Sequence, residues 1–73
     1  MTRYEIRVEG ILGERWSPWF DGLAIRNEGE DVTVIAGSLA DQPALRGLLA
    51  RVHDLGLVLI SVRRIEDGRA RQT

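Results

Sequence analysis

Residues 41–56 read DQPALRGLLARVHDLG, and this stretch decides the fold class. Leu45, Leu48, Leu49, Val52 and Leu55 recur at the i, i+3, i+4, i+7 spacing that lays one apolar stripe along a helix. Arg46, Ala50, Arg51 and Asp54 fall on the other side. Asp41 supplies an N-cap carboxylate, Pro43 sits in the first turn, and Gly56 is the residue type that ends a helix. The spacing predicts a helix over 42–55. Its neighbours on both sides have the two-residue period of strands, so the chain is expected to be α+β.

Upstream, TRYEIRVEG (2–10) alternates cleanly. Tyr4, Ile6 and Val8 point one way and Arg3, Glu5, Arg7 and Glu9 the other, as in a half-buried strand with one wet face. LAIRN (23–27) and DVTVIAG (31–37) bracket the polar EGE (28–30), a hairpin with Gly29 at its tip. Its core face is assigned to Leu23, Ile25, Val32 and Val34. Downstream, LVLISVRRI (57–65) begins with four apolar residues, so this last strand is expected to be central or covered on both faces there. EDGRARQT (66–73) reads as a flexible polar tail, which leaves a single domain over 1–65. The expectation is a four-stranded, mainly antiparallel sheet with one long helix packed on one face. That order is similar to a ferredoxin-like βαββαβ unit whose first helix is reduced to a turn, a likeness of topology that carries no function.

The reduced helix is the segment ERWSPWFDG (14–22). Ser17 followed by Pro18 resembles a helix start, yet Gly22 comes after about one turn. Trp16, Trp19 and Phe20 each carry roughly 150–250 Å² of mostly apolar surface, too much to leave in water without cause. They either form a contact patch or close the core that one helix leaves partly open. Trp16, between Arg15 and Ser17, is the better candidate for exposure; Trp19 and Phe20 are adjacent and must diverge. The candidate binding residues are therefore Trp16, Trp19, Phe20 and Arg15, with Asp41 and Gln42 at the helix start.

Other chemistry is thin. With no cysteine there is no disulfide, no thiolate metal site and no thiol catalysis. His53 is the only histidine and lies beside the apolar stripe, so it lacks the second ligand or nucleophile that a site needs. Asp21 has a local role at a turn and Asp41 at a cap, and no glycine-rich loop precedes the helix to hold a phosphate. No catalytic residue, metal site or cofactor is expected. All ten basic residues are arginine, which fits a GC-rich bacterial genome. They alternate with eleven acidic residues and give no field to attract nucleic acid, and the wet strand face has no aromatics to stack on bases. No leader and no membrane-spanning run is visible, so the reading is cytoplasmic, with no membrane partner.

A resemblance covers Tyr4 to Arg64. YEIRVEG, LGERWSPWFDG, DQPALRGLLARVHDLGL and SVRRI resemble a family of short, functionally uncharacterised bacterial proteins from high-GC genomes. Relatives of that pattern often carry His where Arg46 stands and Ala where Pro43 stands. The resemblance implies no activity.

A core of this size typically nets only about 3–5 kcal/mol, and a shared surface would add to it. The expected function is a non-enzymatic binding or regulatory module acting through protein–protein contact, as a homodimer with Trp16, Trp19 and Phe20 at or beside the interface. One alternative is a small-ligand sensor with its site between segment 14–22 and residues 41–42. Another is a small enzyme using Asp21, Asp41 or His53.

Overall fold

A computed structural model describes residues 2–65; the tail expected at 66–73 lies outside the described residues. The strands are β1 (Thr2–Glu9), β2 (Ala24–Glu28), β3 (Val32–Leu39) and β4 (Val58–Ile65). A 3-10 helix (Glu14–Phe20) joins β1 to β2, and helix α1 (Gln42–Asp54) joins β3 to β4. The sheet runs β2-β3-β1-β4 with every neighbour antiparallel. This is the α+β fold expected, in the strand order of a βαββαβ unit whose first helix has shrunk.

Helix α1 owes its limits to local chemistry. Asp41 Oδ1 accepts a hydrogen bond from Ala44 N at 2.9 Å, satisfying one of the orphan donors of the first turn. At the other end Gly56 N donates to His53 O and Leu57 N to Val52 O, with Gly56 at φ +76°. That is a Schellman motif, and it needs the left-handed backbone that glycine adopts without strain. Leu48 and Val52 are buried against the sheet, while Leu45, Leu49 and Leu55 pack at the margin.

The aromatic segment departs from expectation. Its 3-10 helix spans seven residues, starts from Gly13 and contains Pro18, so Ser17 is inside it and not its cap. The Ser17 hydroxyl instead donates to Leu23 O at 2.7 Å, tying the helix to the chain that enters β2. Gly10 is held in turn by the buried Thr33, whose hydroxyl donates to Gly10 O and accepts from Leu12 N and Asn27 Nδ2.

Register decides which side chains meet. Ile6 stands beside Ile35, which stands beside Ile25, on the face covered by α1 and the 3-10 helix. Gly37 lies on the same face, and its missing side chain leaves the room that Leu23 fills. Leu23 and Ile25 belong to this core as expected, but Val32 and Val34 do not. They pair with Glu9 and Arg7 and so lie on the opposite, charged face. Val34 is nevertheless fully buried. The cause is the set of long side chains above it, where Arg7 pairs with Glu28 and Glu5, and Arg26 with Glu5. The Arg7 and Glu5 side chains, themselves only about a fifth exposed, lie over the valine and keep water from it.

The last strand is the main correction. A run of four apolar residues suggested cover on both faces, yet β4 is an edge strand. Val58, Leu59, Ile60 and Val62 are 58%, 45%, 50% and 37% exposed. Val58 lies on the charged face, away from α1, and Leu59 and Val62 lie on the face that α1 covers only in part, so among the described residues the outer flank of β4 is bare. The register with β1 also slips, Arg7 facing Ser61 and Val8 facing Leu59, so Ile60 is an unpaired bulge residue.

Candidate functional site

The three aromatics divide by depth. Phe20 is fully buried and closes the core. Trp16 is half-buried and packs against the same cluster. Trp19 is the exposed one, at 39%. Polar sequence neighbours suggested exposure of Trp16, but Ser17 is itself folded inward onto Leu23 O, which turns this stretch toward the core.

Trp19 is engaged by α1. Its indole N–H donates to Arg51 O at 3.3 Å, and the Arg51 guanidinium donates to Trp19 O at 2.7 Å and to Asp21 Oδ1 at 3.2 Å. The guanidinium lies 5.8 Å from the ring centroid, within cation–π range. Trp19, Asp21 and Arg51 thus form a clamp between the 3-10 helix and the C-terminal half of α1. No spacing in the sequence links Arg51 to Trp19 and Asp21, which lie some thirty positions before it; only the tertiary packing brings them together.

Arg15 is exposed, and Asp41 and Gln42 lie at the other end of α1 from Arg51. Arg51 lies nine positions after Gln42 on the helix, about 14 Å along its axis. The helix start and the clamp thus lie toward opposite ends of α1. A shallow open depression beside the 3-10 helix is lined by Glu14, Ser17, Ala24 and Ile25. Asp21 pairs with Arg51, Asp41 caps the helix, and His53 stands exposed on the helix flank. Among the described residues no group of three or more His, Asp or Glu side chains could hold a metal ion. Among those residues too, no helix is long and apolar enough to cross a membrane.

Two surfaces remain. One is the charged face, where Arg3, Glu5, Arg7, Arg26, Ser61 and Arg63 share one side of the sheet as their alternation suggested. Its centre is self-neutralised. Hydrogen bonding from Arg7 holds the Glu28 carboxyl below the usual glutamate range, and the same contact raises Arg7. The other surface is the apolar edge of β4.

The family model described as a domain of unknown function, DUF8691, matches residues 3–63. The chain belongs to that family. The DUF8691 match runs from β1 into β4 and so takes in the aromatic segment, the helix and the exposed edge together. No curated protein and no solved structure matches the chain.

Proposed function

We propose that this protein is a non-enzymatic module that acts through protein–protein contact, and that the contact surface is the outer flank of β4. One observation carries this reading: Val58, Leu59, Ile60 and Val62 are all exposed on one edge strand. Single exposed apolar residues are ordinary, but a contiguous set on a strand with open backbone groups marks an interaction site or an aggregation hazard. The other edge shows what protection looks like. β2 has only five residues and exposes Arg26, Asn27 and Glu28. The aromatic segment commits Phe20 and Trp16 to the core and leaves Trp19 as a secondary contact. The separation of Asp41 and Gln42 from the clamp gives the ligand-sensor reading less support. A bacterial, cytoplasmic setting is our reading too, resting on the all-arginine composition and the resemblance above.

Site-specific photo-crosslinking in the cells that make the protein tests the proposal. A photoreactive residue at Ile60 should give protein adducts, and one at Gly29, on the hairpin tip, should not. Equal labelling at both positions, or none at either, would defeat the contact-module reading.

A further inference from the structure

We infer that the occupant of the β4 edge is a second copy of this chain, paired antiparallel about a two-fold axis between Ile60 and Ser61. This rests on the contact-module reading and deepens it by naming the partner. Sheet faces fix the register. Leu59 and Val62 share the helix-covered face, through their partners Val8 and Ile6, while Val58 and Arg63 share the charged face, through Glu9 and Glu5. Side chains directly opposite each other in an antiparallel pair share a face. The bulge at Ile60 breaks the alternation, so Leu59 and Val62 are three apart yet on one side. A two-fold axis between Ile60 and Ser61 puts the two bulges together at its centre. Leu59 then lies opposite the partner's Val62, and Val58 opposite the partner's Arg63, with the faces of both copies preserved.

Charge complementarity selects this antiparallel arrangement. Arg63 and Glu9 are exposed and take part in none of the ion pairs among the described residues. Glu9 stands beside Val58 on the next strand inward. In the pairing above, the partner's Arg63 sits two strand spacings from Glu9, roughly 10 Å between backbones and within the combined reach of the two side chains. Each dimer would hold two such pairs, one at either end. Parallel edges would set Arg63 against the partner's Arg63 and leave Glu9 without a cation. The tail is no rival occupant on composition, since residues 66–73 offer a single aliphatic side chain, Ala70. Closure is isologous, so both bare edges are consumed and the sheet becomes eight strands ended by the two short, charged β2 edges.

Sedimentation equilibrium over a wide concentration range, on the full chain and four variants, tests the pairing. The wild type should show a monomer–dimer equilibrium. Ile60→Lys should weaken it at least about tenfold while its thermal melt at a concentration where both are monomeric stays unchanged. Glu9→Arg and Arg63→Glu should each weaken dimerisation several-fold, and the double exchange should recover most of the loss. A wild type monomeric at every concentration would overturn the inference, as would a dimer indifferent to Ile60→Lys or a double exchange no better than the worse single one. If the protein is monomeric yet Ile60 still crosslinks to another protein in cells, the second copy is wrong and the contact module survives. If it is monomeric and Ile60 crosslinks to nothing, both fail.

Discussion

At the scale of single residues, depth separates Phe20 from Trp19 although they are neighbours. Phe20→Ala would open a cavity costing about 3–5 kcal/mol, comparable with the whole net stability of a core this small. The variant is expected to be largely unfolded at room temperature by circular dichroism. Trp19→Ala removes a half-exposed ring and its clamp to Arg51, and should cost only about 1 kcal/mol by urea titration. Equal losses would contradict the burial assigned to the two residues. Charge gives a second residue-scale prediction. The folded state lowers the Glu28 pKa through Arg7, so this contact stabilises above the unfolded glutamate range and its contribution disappears as pH falls through the folded value. A carbon-detected NMR titration of the Glu28 carboxyl should have its midpoint below that range, and Arg7→Gln should move the midpoint upward. An unmoved midpoint would mean that Arg7 and Glu28 do not meet in solution.

At the scale of elements, α1 depends on its cap. Asp41→Ala should destabilise by about 1 kcal/mol, read from the denaturation midpoint, and Asp41→Asn should restore most of it because the amide oxygen still accepts from Ala44 N. Helix α1 was legible in the sequence because its cap, stripe and stop all act within a few residues. β1 was legible for the same reason, its alternation recording one wet face and one dry one. β3 was harder. Its Val32-Thr33-Val34-Ile35 run is apolar on both sides, and the phase that puts Thr33 and Ile35 under the helices is set by register with β1, which the strand itself does not state. β4 misled for a related reason. Four apolar residues in a row look alike whether a neighbouring strand covers them or none of the described residues does. The Trp19–Asp21–Arg51 clamp was illegible, since two of its members come from the end of the 3-10 helix and the third from a surface of α1 where arginine is ordinary.

At the scale of the whole molecule, the four strands and single long helix leave one flank without cover among the described residues, and a chain with no cysteine has no crosslink to offset the small core. The two edges of the sheet differ in the way expected if one is meant for solvent and the other for contact: β2 is short and charged, β4 long and apolar over its first half. Two-fold closure through β4 would place both α1 helices on one face of a continuous sheet and both charged networks on the other. The most direct test is an isotope-filtered NOE experiment on an equimolar mixture of labelled and unlabelled protein. The account predicts intermolecular contacts between Leu59 and Val62 methyl groups. Intermolecular contacts confined to Trp19, or none at a concentration where the protein is dimeric, would contradict it.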